Sequence, residues 1–335
     1  MMPDSSERLA LTARLMLPRL AFLALLLGAC GGSPTAVSSP SAAPSVTASA
    51  IPELILKNLW ATAPDVKKLG TPNYLAVDRN DNVYVTDITN YAVAEFDRAG
   101  KFVRRFNFPA NGGMPTGIAV DAVGNVYAAD AGNSRIIKFD SRGRMIKAWP
   151  TLNIPVGVAV DGAGDIFVAG HRVQDHYIQK FDAAGKLLTE FGTTGKGDGQ
   201  FFVDDNHAGL EEISTGPAGH VYVADPVDYR VVEFDNNGVF VRNYVADPES
   251  APRPLVGVAV DGAGNVYAAS GGPLIKWEPD GRIAAHLPLP KVDTPWVPSL
   301  AANSGGDLWL SEAGHIWDIP NGESIGIVHR LTAAS

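Results

Sequence analysis

The chain predicts an all-β protein, a six-bladed β-propeller of four-stranded antiparallel blades, and three observations lead there. An aromatic residue followed by a carboxylate recurs at Phe96-Asp97, Phe139-Asp140, Phe181-Asp182, Phe234-Asp235, Trp277-Glu278 and Trp317-Asp318, in steps of 43, 42, 53, 43 and 40 residues. A tandem period near forty residues marks a propeller or a solenoid. Ahead of each pair stands a V-Y-like dipeptide: Val83-Tyr84, Val126-Tyr127, Ile166-Phe167, Val221-Tyr222, Val266-Tyr267 and Leu308-Trp309. Gly and Pro are abundant, with 35 and 24 copies in 335 residues, which suits many short strands joined by tight turns.

Unit two, residues 115–149, shows how one copy becomes a blade. Gly117 to Val120 is a short, small, apolar strand, and Asn125 to Ala129 is β-branched and aromatic. Arg135 to Phe139 and Met145 to Trp149 alternate as half-buried strands do. D-x-x-G turns separate them, at Asp121 to Gly124 and Asp140 to Gly143; Asp opens a type I turn and Gly supplies the positive φ that ends it. Four short strands with turns every eight to twelve residues make one blade. Blades converge on a central channel, so innermost strands must be small, as in Leu75-Ala76-Val77, Ile118-Ala119-Val120, Val158-Ala159-Val160 and Val258-Ala259-Val260.

The pattern G-I-A-V-D-x-x-G-N-V-Y-A-A-D-x-x-N-x-R-I-x-K-F-D-x-x-G of unit two resembles the NHL repeat, over residues of about 70 to 331. The segment Phe191 to Phe201, rich in Gly, is similar to the usual NHL connector. The resemblance implies a propeller, commonly of six blades. Two segments compete to close the ring, 54–60 and 325–331, and either way the open edge must be paired, because exposed edges invite aggregation.

The N-terminal part reads differently. Arg8, Arg14 and Arg19 precede an apolar run, Leu20 to Leu27, then Gly28-Ala29-Cys30. A basic lead, an apolar stretch too short to span a bilayer and small residues at the cut describe an export signal. Met16 is an alternative start. The L-G-A-C ending resembles the bacterial lipobox, which implies a lipidated (palmitate-bearing) Cys30 as the mature N-terminus; an ordinary secretory signal is the alternative. Residues 31–50 are mostly Ser, Ala and Pro and carry no charge, a composition that cannot bury enough surface to order itself. As a tether they would reach roughly 25 Å. The expected organisation is a lipoprotein signal peptide at 1–29, a disordered tether at 30–50 and the propeller at 51–335. The expected location is the bacterial cell envelope, outside the cytoplasm, at an outer membrane or cell surface.

A formal charge of −9 argues against a nucleic-acid surface, and Cys30 is the only cysteine, so no disulfide framework is available. Propeller ligands sit at the channel mouth, and two departures from the repeat fall there. In unit three the A-D-x-x-N-x-R loop gives way to Gly170-His171-Arg172-Val173-Gln174-Asp175-His176-Tyr177. Unit four replaces G-I-A-V-D with a stretch holding Asp204, Asp205, His207, Glu211 and Glu212, the last at the position of the inner Gly. Crowded carboxylates repel, raise one another's pKa or attract a cation, and oxygen clusters suit Ca²⁺ or Mg²⁺. The candidate ligand-binding residues are therefore His171, Arg172, Asp175, His176, Asp204, Asp205, His207, Glu211, Glu212 and, from the blade-six loop, His315; a solvated acidic loop is the plainer reading. No catalytic residue is assigned and no cofactor is required.

Other candidates have structural readings. Asp130 with Arg135, and Asp225 with Arg230, belong to the repeat and predict clasps that hold the loop. His220 is expected at a surface turn, and His286 and His329 on outer strands. The six-bladed peptidylglycine amidating lyases, which resemble NHL propellers, hold zinc through histidines near the inner strands. Here those positions are Asn73, Thr116, Val156, Glu211, Val256 and Pro298, and zinc catalysis needs three converging ligands. Of the inner Glu, Asn and Asp ligands of gluconolactonase-like propellers, only Glu211 and Glu212 find a counterpart. No G-x-S-x-G elbow or phosphate loop is present. The leading expectation is a monomeric, membrane-tethered binding module for a protein, peptide or glycan of the envelope. The alternative is a hydrolase or lyase that uses the blade three and four cluster with a divalent ion.

Overall fold

A computed structural model of the chain describes residues 55–58, 69–70, 72–109, 113–151, 154–172, 175–201, 212–246, 255–269, 273–287, 299–312 and 327–332. The first strand, β1 (Ile55–Asn58), finds its partner at the far end of the chain. Blade one follows as β2 (Pro72–Val77), β3 (Val83–Asp87), β4 (Ala92–Phe96) and β5 (Phe102–Asn107). Blade two is β6 (Pro115–Val120), β7 (Val126–Asp130), β8 (Arg135–Phe139) and β9 (Met145–Pro150). Blade three is β10 (Ile154–Val160), β11 (Ile166–Arg172), β12 (Asp175–Phe181) and β13 (Leu187–Phe191). A small parallel pair, β14 (Thr193–Thr194) with β15 (Gln200–Phe201), forms the Gly-rich connector. Blade four is β16 (Ile213–Thr215), β17 (Val221–Asp225), β18 (Arg230–Phe234) and β19 (Phe240–Val245). Blade five is β20 (Gly257–Val260), β21 (Val266–Ala269), β22 (Leu274–Trp277) and β23 (Ile283–Leu287).

These five blades are antiparallel meanders of four consecutive strands. The last unit departs from that plan. It supplies β24 (Ser299–Ala302), β25 (Leu308–Glu312) and β26 (Ile327–Thr332), and β1 completes the sheet in the order β24-β25-β26-β1. Both end segments are therefore used, one as third strand and the other as fourth. His329 lies on the third strand, opposite Leu310 on one side and Asn58 on the other, rather than on an outer strand. The Trp317-Asp318 pair lies outside the described residues. Joining the two ends in one sheet pairs an edge that would otherwise stay open. Inner strands touch in sequence, β2 with β6, β10, β16, β20, β24 and back to β2, each meeting the next.

The repeated aromatic–carboxylate pair now has a physical account. Its aromatic member is buried between neighbouring blades: Phe106 and Phe139 meet edge to face at 5.8 Å, Tyr244 and Trp277 edge to face at 6.2 Å, and Phe191 and Phe234 tilted at 5.0 Å. Each such side chain contributes about 2–3 kcal/mol of burial. The carboxylate that follows closes the next turn. Asp97 Oδ1 accepts the Ala99 and Lys101 N–H groups, and Asp140 Oδ1 those of Arg142 and Arg144. Those bonds hold the Asp140 carboxyl below its usual range, the Arg144 N–H foremost. Adjacent residues thus anchor the strand inward and shape the turn outward.

Candidate functional site

The inner strands surround a channel of about 240 Å³ that all six sheets line. One layer of the repeat decides how closely the strands approach the axis: Tyr74, Gly117, Gly157, Glu212, Gly257 and Ser299, each following the residue tested above for zinc ligation. Gly117 is required by space, since a Cβ there would lie 2.3 Å from the Val156 carbonyl oxygen and 2.7 Å from Gly157 Cα.

In blade four the layer carries a carboxylate instead. Glu212 is buried, and its Oε2 accepts the backbone N–H of Val258 at 2.8 Å and of Leu300 at 3.0 Å. Its Oε1 accepts the Ser299 hydroxyl proton. Ser299 Oγ in turn accepts the Leu75 N–H at 3.1 Å. One side chain therefore ties blade four to five and six, and through Ser299 to blade one. Gly257 makes room, because a Cβ there would sit 3.3 Å from Glu212 Oε2. Hydroxyls strap three joints as well, between blades two and three, three and four, and six and one: Thr116 donates to the Pro155 carbonyl at 3.0 Å, Thr215 to Val160 at 2.8 Å and Ser311 to Asn73 at 2.8 Å.

The loops between second and third strands share the mouth end with the loops that enter the inner strands, because the meander puts both on one face. Asp130 accepts the Arg135 Nε–H at 2.8 Å and the Met114 N–H at 3.1 Å. Asp225 accepts the Arg230 Nε–H at 2.9 Å, while Arg230 Nη2 reaches the Gln200 carbonyl at 2.6 Å. These are the loop clasps that the repeat predicts. Burial pushes the Asp225 carboxyl up to about 6, with Arg230 opposing it. Blade three breaks the rule. Its second and third strands run on as a longer hairpin in which His171 is directly opposite His176 and Arg172 opposite Asp175.

Of the candidate site residues, the structure therefore brings His171, Arg172, Asp175 and His176 onto one hairpin at the mouth. Glu212 is engaged by blades five and six. Asp204, Asp205, His207, Glu211, His315 and Cys30 lie outside the described residues, and among the described residues no group of three His, Cys, Asp or Glu side chains is placed to hold a metal ion.

Sequence reasoning missed a second layer, near the opposite face. Each V-Y aromatic pairs across the sheet with a charged third-strand residue: Tyr84 with Glu95, Tyr127 with Lys138, Phe167 with Lys180, Tyr222 with Glu233, Tyr267 with Lys276 and Trp309 with Arg330. Lys138 Nζ lies 4.8 Å from the Tyr127 ring centre, and Lys180 and Lys276 lie 5.3 and 5.4 Å from theirs, the geometry of cation–π attraction. Where the partner is Glu, it collects donors. Glu233 Oε1 takes the Tyr222 hydroxyl at 3.1 Å and faces His220 Nδ1 at 2.6 Å, and Oε2 takes the Tyr244 hydroxyl at 2.9 Å. His220 is thus a half-buried partner of Glu233 more than a surface turn residue. The signal was legible as a Lys or Glu directly before the aromatic member of the first five pairs: Glu95, Lys138, Lys180, Glu233 and Lys276. Burial raises the Tyr222 and Tyr244 phenols, helped by the Glu233 charge, and raises Glu95 against the pull of Arg104.

A β-propeller of four-stranded antiparallel blades is the class that this fold and channel define. Residues 113–139, the cleanest unit, match the family model of the NHL repeat. No curated protein is similar in sequence. Among solved structures, the virginiamycin B lyase of Staphylococcus aureus superposes with a TM-score of 0.56 at 14% identity, over 78% of this chain and 95% of that one. A gluconolactonase of Xanthomonas campestris gives 0.58 at 14% identity, over 84% and 95%. A chain of a nidogen–laminin complex gives 0.52 at 17%, over 65% and 80%. At these identities the likeness is one of fold, and that fold serves lyase, lactonase and binding protein alike.

Proposed function

We propose that this chain is an extracytoplasmic binding module, a six-bladed propeller tethered to a membrane through Cys30, with its ligand at the channel mouth near blades three and four. One observation carries the reading: Glu212, the acidic residue that lines the channel among the described residues, is spent as a clamp, with both oxygens engaged by hydrogen-bond donors of blades five and six. A carboxylate that accepts three hydrogen bonds from two neighbouring blades holds the ring together, and that structural role accounts for its place in the inner layer. The channel, at about 240 Å³, is smaller than the roughly 300–1,000 Å³ of ordinary small-molecule pockets. Recognition then belongs to the rim of the mouth, where the extended blade-three hairpin carries His171, Arg172, Asp175 and His176. A protein, peptide or glycan of the bacterial envelope fits a rim better than a pore does a small substrate. The chain acts as a monomer in this reading.

The second reading, a divalent-metal hydrolase or lyase built on the blade three and four cluster, draws on the lyase and lactonase that share the fold. One experiment separates the two. The purified protein is analysed for bound Ca²⁺ and Mg²⁺ and melted with and without EDTA, since a site-bound ion stabilises by mass action. A stoichiometric ion and a lowered Tm on chelation would replace the binding module with the metal enzyme. The anchor is tested by mass spectrometry of the membrane-extracted protein: an acylated Cys30 N-terminus supports it, and an unmodified chain in the soluble fraction removes it.

A further inference from the structure

We propose that the outer rim of blades one to three is a docking surface for an anionic phospholipid bilayer. In a chain of net charge −9, segments 97–105 and 138–147 carry eight Lys or Arg and only two Asp. They are the third-to-fourth-strand turns and outer strands of blades one and two. Charge is therefore segregated, with the basic share concentrated on one stretch of the circumference.

The two acidic residues in these segments are engaged by their own turns. Asp97 and Asp140 each accept two backbone N–H groups, and Asp140 also pairs with the exposed Arg144 at 2.7 Å, whereas Arg98, Lys101, Arg142 and Lys147 are exposed. Lys147 and Lys138 reach the Ala184 and Ala183 carbonyls of the blade-three turn, and Arg104 Nη1 reaches the Ser141 carbonyl of the blade-two turn at 2.8 Å. The outer strands of the three blades are stitched into one continuous band by these contacts.

Interleaved with the cations is a row of bare apolar side chains. Val103, Met145, Ile146, Leu187 and Leu188 are between 37% and 55% exposed, at equivalent positions just after each turn. Single exposed apolar residues need no explanation, but a repeated row flanked by basic chains marks an interaction surface. A lipid surface fits this chemistry: Lys and Arg reach the phosphates while short apolar side chains enter the headgroup boundary. An acidic protein would match the cations but leave the apolar row to find its own pockets. The proposal stands on the band alone and does not need the anchor at Cys30.

The test uses the full chain with Cys30→Ser, so that no acyl group contributes, and vesicles of phosphatidylcholine with or without phosphatidylglycerol. Each cation near an anionic surface contributes about fivefold in partitioning. Binding should be at least tenfold tighter on the anionic vesicles and should weaken as salt rises from about 50 to 500 mM. Lys101→Glu/Arg142→Glu/Lys147→Glu should lose about a hundredfold, and Ile146→Ser/Leu188→Ser should weaken binding without changing its salt dependence. Equal binding to both vesicle types overturns the proposal, as does a triple variant that binds like its parent. Retention on a polyglutamate column without vesicle binding also overturns it, assigning the band to an acidic polymer. The vesicle and salt comparisons on the parent decide the matter even if the triple variant fails to fold.

Discussion

Replacing Glu212 by Ala removes the acceptor of two buried N–H groups, Val258 and Leu300, and of the Ser299 hydroxyl. Each donor left unsatisfied in the interior costs about 1–3 kcal/mol. Some of that is recovered where water follows the missing side chain into the channel, so the expected loss is about 3–5 kcal/mol. Glu212→Gln keeps an amide oxygen for the two N–H groups and offers its NH₂ to Ser299 Oγ, which must then act as acceptor. It forfeits only the charge assistance, at about 1–2 kcal/mol. The assay is urea unfolding followed by the fluorescence of the buried Trp277 and Trp309. The midpoint should fall in the order parent, Gln, Ala with the slope unchanged. An Ala variant within about 0.5 kcal/mol of the parent, or a Gln variant no milder than Ala, would refute the clamp.

Three further outcomes follow from the same structure. Gly117→Ala places a Cβ against the Val156 and Gly157 backbone, which cannot rotate away, so it should cost about 1–3 kcal/mol or more in the same urea assay. Glu233→Ala strips the acceptor from Tyr222 and His220 and leaves Tyr244 only the Pro279 carbonyl, and should cost about 2–4 kcal/mol, against about 1 kcal/mol for Tyr244→Phe, measured by thermal melts. Asp225 has its carboxyl raised by burial from 3.8 to about 6. Between those values the native state holds more protons than the unfolded one, so this group's contribution to stability falls as pH rises toward 6 and levels off above it. Asp225→Asn should remove that component from a urea series run from pH 4 to 7.

The fold was legible in the sequence to the extent that local chemistry writes it. Every D-x-x-G turn and small inner strand is a short-range decision, made by residues a few positions apart, and copying one unit down the chain repeats that decision. The connector at Phe191 to Phe201 was readable for the same reason, as were the Asp130 and Asp225 clasps. The long blade-three hairpin was visible as a break in the pattern, but its strand pairing was not, because register depends on what the neighbouring strand offers. Glu212 shows the limit most clearly. Its place in the repeat was read from alignment, and its partners, Val258, Ser299 and Leu300, are 46 to 88 positions away, beyond any local rule.

The amino-acid order alone thus determined the strand-and-turn alphabet, the period and the need for small residues at the axis, since backbone sterics and solvent exclusion act on neighbours in the chain. Only the tertiary structure decided how the ends meet, β1 lying on β26 with Lys57 opposite Arg330, and which buried donors Glu212 serves. Those choices turn on which surfaces a closing ring presses together, and sequence separation carries no information about that.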